Sequence, residues 1–190
     1  MKNLFAVVCA WLSLCCAVNA QMVPSNGGAM VPSVAPAPPV FVLMAKSNVA
    51  ASVTGTLTET ILATVNLPAN TIGANGQVRI RTYWTTTNSA NNKSLKVRFG
   101  TTGVSSTSIS SSVITTFGTE MITVDVQNLN ATNSQNAFQE GSRGTDGLVT
   151  TGFSTSAIDT TISENFYITG TLANTGETIT LVGYSVEYAF

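Results

Sequence analysis

The sequence predicts an all-β domain, an antiparallel β-sandwich of jelly-roll type, over residues 48–190. Three observations predict this fold. Threonine is absent before Thr54 and abundant after it, short stretches alternate between apolar and polar residues, and none of the domain has helical periodicity. Threonine, valine and isoleucine favour strands, and a period of two is typical of strands with one buried face. Short strands without helical crossovers indicate two packed antiparallel sheets.

Four stretches alternate most clearly, and each predicts a strand with one face in the core. The residues predicted to face inward are Val78, Ile80 and Trp84; Leu95, Val97 and Phe99; Ile122, Val124 and Val126; and Phe166, Ile168 and Leu172. The last stretch, 177–190, is long for one strand. Its alternation changes phase at Gly183, which predicts a β-bulge there.

Composition limits the chemistry of the domain. Charged residues make up 9% of the chain and apolar residues 44%, so a core can form beneath a polar and nearly uncharged surface. The net charge is −1 and no basic run is present, which argues against nucleic-acid binding. The chain has no histidine, and its carboxylates are scattered singly. We therefore expect a binding protein with no catalytic residue, no metal and no cofactor, and not an enzyme.

Residues 1–20 predict a signal peptide. Lys2 supplies a positive start, an apolar stretch follows, and Ala20 occupies the position before the expected cleavage site. The apolar stretch is shorter than the roughly 20 residues that span a bilayer. A retained hydrophobic anchor is the alternative interpretation of the same residues.

Residues 21–47 are rich in proline, glycine and alanine and predict a linker. Proline fixes the backbone dihedral φ, so the end of this segment is expected to be extended. An attachment peptide that docks on a larger assembly is the alternative. The apolar stretch 41–44 fits either the first strand of the domain or the contact of such a peptide.

Aromatic side chains on strands are candidates for stacking on sugar rings. They are Tyr83, Trp84, Tyr167, Tyr184 and Tyr188. For each of them, core packing or a subunit contact is the alternative role. A second group consists of Arg79, Arg81 and Arg98, which we expect on one sheet face, either solvated or paired across a subunit interface.

Two segments resemble a β-sandwich domain that recurs in phage and prophage virion proteins. They are residues 61–100, ILATVNLPANTIGANGQVRIRTYWTTTNSANNKSLKVRFG, and residues 168–188, ITGTLANTGETITLVGYSVEY. The matching features are the strand before LPAN, the basic alternating strand, the NSAN turn and the LANTGETITL turn and strand. The resemblance covers most of residues 49–190. It implies a jelly-roll-like domain, often trimeric, in tail-fibre, head-fibre or minor structural proteins, and it transfers no functional residue.

The leading hypothesis is a phage virion structural protein, a fibre, spike or decoration subunit that takes part in host attachment. We expect a homotrimer on the virion surface that contacts other virion proteins through residues 21–47 and binds a host surface glycan. The signal peptide would export the chain across the host inner membrane, which departs from the cytoplasmic assembly of tailed phages. The alternative is a secreted or periplasmic bacterial carbohydrate-binding module with a phage-like β-sandwich.

Overall fold

The computed structural model describes residues 22–24, 30–32, 40–143 and 148–190. The predicted signal peptide and most of the predicted linker lie outside the described residues. The chain divides into two units after Pro38. The first unit contains β1 (Met22–Pro24) and β2 (Met30–Pro32), which pair antiparallel. Within the described ranges, no helix has the length and apolar character needed to cross a membrane.

The strands described in the second unit form two antiparallel sheets. The larger sheet consists of β3 (Val42–Ser47), β4 (Ala51–Thr54), β6 (Gln77–Thr86), β9 (Thr119–Asn128), β10 (Gln135–Arg143), β11 (Leu148–Ser156) and β13 (Thr178–Ala189). The smaller sheet consists of β5 (Thr60–Leu67), β7 (Lys93–Gly100), β8 (Thr107–Ile114) and β12 (Glu164–Leu172). A short 3-10 helix, Gly103–Ser105, connects β7 to β8.

The spatial order of the strands follows from their hydrogen-bonded partners. In the larger sheet the order is β11, β10, β9, β6 and β13. Both β3 and β4 pair with the edge of β13 that faces away from β6. In the smaller sheet the order is β5, β12, β7 and β8. The predicted antiparallel β-sandwich is confirmed.

The core lies between the sheets and contains the inner residues of both. The residues that the alternation placed inward are all at most 2% exposed: Val78, Ile80, Trp84, Leu95, Val97, Phe99, Ile122, Val124, Val126, Phe166, Ile168 and Leu172. Their predicted orientation is confirmed. Burial of one such large side chain stabilises the fold by about 1.5–3 kcal/mol. At the centre of the smaller sheet, the rings of Phe99 and Phe166 stack with centroids 4.4 Å apart.

A β-bulge divides β13 into two halves. The register between β13 and β6 shifts between Leu181 and Gly183, so the predicted bulge is confirmed. β4 pairs with the half before the bulge and β3 with the half after it. A Cβ atom at Gly183 would lie 2.8 Å from the carbonyl oxygen of Ser47 at the end of β3. The close approach of β3 therefore requires glycine at position 183.

β3 belongs to the sandwich, whereas the composition of residues 21–47 predicts a linker that ends at residue 47. The second unit begins at Pro39, and Met44 and Ala45 pack against the core. The rise in threonine content predicts a domain boundary near residue 48. It cannot detect β3, because the strand VLMAKS contains no threonine. Of the two roles considered for the apolar stretch 41–44, that of a first strand is the one observed for residues 42–44.

We expect Gly183→Ala to lower the free energy of unfolding by about 1–3 kcal/mol, because the new Cβ atom would overlap the Ser47 carbonyl oxygen. Urea unfolding of the purified chain measures this change. The control is Gly73→Ala, whose Cβ atom would meet nothing within 4 Å. The control should change stability by less than about 0.5 kcal/mol. Equal stability of the two variants would show that β3 can shift away from β13 without cost.

Candidate functional site

The outer face of the smaller sheet carries a network of paired charges. Glu59, which precedes β5, accepts hydrogen bonds from Arg98 at 2.6 and 2.8 Å and from the Thr169 hydroxyl at 2.6 Å. The Nζ atom of Lys96 lies 3.4 Å from the same carboxylate. The hydrogen bonds from Arg98 outweigh desolvation and lower the pKa of Glu59 to about 2. These charged groups are therefore already satisfied within the domain.

Tyr167 also lies on this face, but it is enclosed. Its side chain is only 8% exposed, and its hydroxyl donates a hydrogen bond to the carbonyl oxygen of Thr101 at 3.2 Å. The ring therefore has no open face on which a sugar could stack. Arg98 belongs to β7 of this smaller sheet, whereas Arg79 and Arg81 belong to β6 of the larger one. The expectation that the three arginines share a face is wrong.

The outer face of the larger sheet presents a row of polar residues that crosses five strands. We call it the polar row, and its members, in order from β3 to β10, are Lys46, Ser185, Arg81, Thr123 and Glu140. Each is the direct cross-strand partner of the next, so all point to the same side of the sheet. At about 4.8 Å between neighbouring strands, the row extends roughly 19 Å.

A second row runs parallel to the polar row. In it, Arg79 on β6 has Glu187 on β13 and Asp125 on β9 as its direct cross-strand partners. Arg79 forms a two-point ion pair with Asp125, at 2.8 and 3.3 Å, and its guanidinium lies 4.5 Å from the ring centre of Phe41. The hydrogen bonds that Arg79 donates to Asp125 raise the pKa of Arg79 above its usual value. Farther along this row, Phe138 and Phe153 are 44% and 61% exposed, and their ring centres lie 5.3 Å apart.

Tyr83 lies on the other side of the polar row. Its side chain is 44% exposed, and its cross-strand partners are Met121 on β9 and Gly183 on β13. Gly183 has no side chain, and Val182, the extra residue of the bulge beside it, is 41% exposed. Tyr83 is thus the exposed aromatic residue next to the centre of the polar row.

Two shallow depressions meet at Tyr83. The first has a volume of about 470 Å³, and besides Tyr83 it is lined by Leu43, Lys46, Asn48, Tyr184, Ser185 and Glu187. The second has a volume of about 380 Å³, and its other lining residues are Arg79, Arg81, Met121, Thr123, Asp125 and Glu140. Each depression therefore contains both cationic and anionic side chains.

Four charged side chains in these depressions are unpaired. Within the described part of the chain, no hydrogen bond or ion pair engages the side chains of Lys46, Arg81, Glu140 and Glu187. Two are positive and two are negative. Lys46 and Glu140 are exposed, whereas Arg81 and Glu187 are half-buried, and both carboxylates attract Arg79 without a hydrogen bond to it. The hydrogen-bonding capacity of the four side chains is therefore available to a polar ligand.

The structure gathers some of the sequence-predicted residues and separates others. Arg79, Arg81 and Tyr83 lie together on the outer face of the larger sheet, and Tyr184 lines the first depression while packing partly against the core. Tyr188 packs partly against the core and meets the ring of Phe190 at 5.2 Å. Trp84 is a core residue, and its indole N–H donates to the Thr82 hydroxyl at 2.8 Å.

Sequence reasoning missed Lys46, Glu140 and Glu187 as members of this face. Lys46 lies on β3, which was assigned to the linker, and Glu140 lies on β10, whose alternation is interrupted by Gln139 in the buried position. The cross-strand partners of Lys46 and Glu187 are distant in the sequence, so a local pattern cannot identify them. The alternation of β13 after Gly183 could have placed Glu187 on the outer side, but it could not have named its neighbours.

A buried polar cluster that the sequence did not predict joins two loops of the sandwich. Lys93 is fully buried, with its Nζ atom 2.8 Å from the Ser89 hydroxyl oxygen and 3.7 Å from the Glu177 carboxylate. Hydrogen bonds from Ser89 and Asn91 to Glu177 lower the pKa of that carboxyl group. The cluster connects the β6–β7 loop to the turn before β13. No group of three or more His, Cys, Asp or Glu side chains that could hold a metal occurs among the described residues.

Comparisons with known proteins give distant similarities. The chain matches no known protein family and no curated protein. It is similar to the CBM2 module of an evolved Dit protein from Lactobacillus casei BL23 phage J-1, at 10% identity over 66% of this chain and 68% of that chain, with a TM-score of 0.38. It is also similar to a Lotus tetragonolobus seed lectin, at 6% identity over 79% and 92%, TM-score 0.40. Lectin I from Ulex europaeus gives 8% identity over 89% and 90%, TM-score 0.35. Similarities this distant support no conclusion about the chain.

The Glu59–Arg98 interaction should make stability depend on pH. The folded pKa of about 2 is below the ordinary value of 4.5, so Glu59 favours the folded state above pH 4.5 and loses this contribution as the pH falls to about 2. Glu59→Gln should lower the free energy of unfolding by about 1 kcal/mol at neutral pH and have no effect near the folded pKa. Chemical denaturation over this pH range measures the difference.

The matched control for Glu59→Gln is Glu140→Gln, which changes a carboxylate that is unpaired within the described residues. It should change stability by less than about 0.5 kcal/mol at every pH. A difference between Glu59→Gln and the parent chain that stays constant with pH would contradict the role given to Glu59.

Proposed function

We propose that the sandwich domain binds a glycan through the outer face of its larger sheet, and that a phage virion displays it for host attachment. The observation that carries this proposal is the set of four unpaired charged side chains around the exposed ring of Tyr83. Sugar hydroxyls donate and accept hydrogen bonds, and the apolar face of a sugar packs on an aromatic ring. This combination of groups therefore suits a hydroxyl-rich ligand.

The contrast between the two outer faces supports the choice of the larger sheet. On the smaller sheet, Arg98 and Lys96 are held by Glu59, and a ligand would have to displace that carboxylate first. On the larger sheet, Arg81 and Glu140 form no hydrogen bond or ion pair that a ligand would have to displace within the described residues. A ligand there replaces only water, and each new hydrogen bond can add to affinity.

The virion setting is supported by the resemblance of residues 61–100 and 168–188 to phage structural domains. A surface rich in threonine, serine and asparagine depends little on charge screening, which suits a domain exposed to media of varying salt concentration. In this proposal the domain is a fibre, spike or decoration subunit without catalytic activity. The segment between the signal peptide and β3 joins it to other virion proteins, and the signal peptide exports it.

A homotrimer is part of the proposal, and one surface feature favours a subunit contact. Phe138 and Phe153, on the neighbouring strands β10 and β11, expose 44% and 61% of their side chains in mutual contact. Exposed aromatic patches often mark protein contacts, and closed cyclic symmetry is the usual form of homo-oligomers. We therefore assign this aromatic pair to the contact between subunits.

A secreted or periplasmic carbohydrate-binding module is the second candidate function. The predicted signal peptide favours it, because export leads directly to these compartments. This candidate uses the same binding face of the larger sheet. The two proposals therefore differ in where the domain is displayed and agree on what it binds.

Tyr83→Ala should weaken glycan binding about tenfold or more, because it removes the aromatic surface on which a sugar stacks. A glycan array identifies the bound class, and titration calorimetry with the best ligand measures the loss. The control is Tyr167→Phe on the enclosed face of the smaller sheet, which should leave affinity unchanged. Equal losses in both variants, or no loss in Tyr83→Ala, would exclude this face as the binding site.

Purified phage particles should contain this chain, as measured by mass spectrometry of their proteins. The same spectra should show an N-terminus at Gln21 if the signal peptide is cleaved, or at Met1 if the hydrophobic segment is retained. Particles that lack the chain, together with its presence in the periplasm or medium, would reject the virion role in favour of a carbohydrate-binding module.

A further inference from the structure

The charges on the binding face point to the class of glycan. We infer that the ligand is a neutral, linear oligosaccharide that lies along the polar row, across the strands, with Tyr83 at its side. This inference rests on the proposed function and adds to it the charge, the length and the direction of the ligand. It is carried by the presence of one unpaired cation and one unpaired carboxylate in each depression and by the extent of the polar row.

Each depression contains one unpaired cation and one unpaired carboxylate. In the first they are Lys46 and Glu187, and in the second they are Arg81 and Glu140. An acidic sugar attracted by the cation would also meet the carboxylate, and an amino sugar attracted by the carboxylate would meet the cation. A neutral sugar donates hydrogen bonds to the carboxylate and accepts them from the cation, so it satisfies both.

The neighbouring row does not alter this balance. Arg79 forms a two-point ion pair with Asp125 and is also attracted by Glu187 and Glu140, so this row adds one positive and one negative charge to those already counted. The aromatic contact of Arg79 with Phe41 further limits its movement. The surface that faces a ligand is therefore polar and has no net charge. It lacks the electrostatic attraction that a positively charged surface has for acidic glycans.

The length of the ligand follows from the positions of the polar groups. Lys46 and Glu140 stand at opposite ends of the polar row, roughly 19 Å apart across the strands. One sugar ring is too small to reach both ends, and Tyr83 lines both depressions. A chain of sugar units laid across the strands can contact both depressions at once, so affinity should rise with the number of units.

The test uses the purified full chain on a glycan array that carries neutral, uronic-acid and amino-sugar oligomers of matched length, followed by calorimetry. We expect binding of neutral oligomers, about tenfold tighter for short oligomers than for the single sugar. Arg81→Gln and Glu140→Gln should each weaken binding of the neutral oligomer about tenfold, since each removes a charged hydrogen-bonding group. The control is Lys96→Gln on the opposite face, which should bind like the parent chain.

The outcomes separate this inference from the proposed function. Tight binding of an acidic oligomer that is lost in Arg81→Gln and strengthened in Glu140→Gln would contradict the inference that the ligand is neutral. The proposal that the domain binds a glycan would still stand. Equal affinity for a single sugar and its oligomers would overturn the extended ligand. Binding to no glycan class would overturn the proposed function itself. Thermal unfolding of each variant confirms that it is folded, and Arg81→Lys, which keeps the charge, should bind more tightly than Arg81→Gln.

Discussion

The packing of two apolar sheet faces against each other is the interaction on which the rest of this domain depends. The long strands β6 and β9 bury alternate residues, and Val78, Ile80 and Val124 have no exposed surface. A slip of one residue between two strands would move such side chains into solvent and bury the residues beside them. The core therefore sets the strand register, and the register sets which polar side chains lie side by side on the outer faces.

The bulge at Gly183 links the packing of β13 to the composition of the candidate site. Before the bulge, the odd-numbered residues Ile179 and Leu181 face the core, and after it the even-numbered Val186 does. Without the extra residue, Ser185 and Glu187 would point inward. The same glycine admits the end of β3, which carries Lys46. One local irregularity thus brings two strands of the candidate site into position.

The two outer faces of the sandwich carry similar charged side chains but differ in whether those charges are paired. On the smaller sheet, the segment before β5 brings Glu59 over Arg98 and Lys96, and the charges are satisfied within the domain. On the larger sheet, the corresponding arginine, Arg81, has only Thr123 and Ser185 as direct cross-strand partners. Ion pairing closes one face, whereas the other keeps its hydrogen-bonding groups free. This difference is the physical basis for the proposed ligand-binding role.

The sequence by itself determined the all-β class, the inward face of the main strands and the bulge at Gly183. These are properties of a few consecutive residues, because alternation and its change of phase are local. It also placed Arg79, Arg81 and Tyr83 on the outer side of one strand for the same reason.

Only the tertiary structure decided the neighbours of these residues. It separated Arg98 from Arg79 and Arg81, enclosed Tyr167, added β3 to the sheet and put Lys46 and Glu140 in one row with Arg81. Strand order and register depend on contacts between residues far apart in the chain. A pattern that repeats every second residue carries no information about which strand lies beside which.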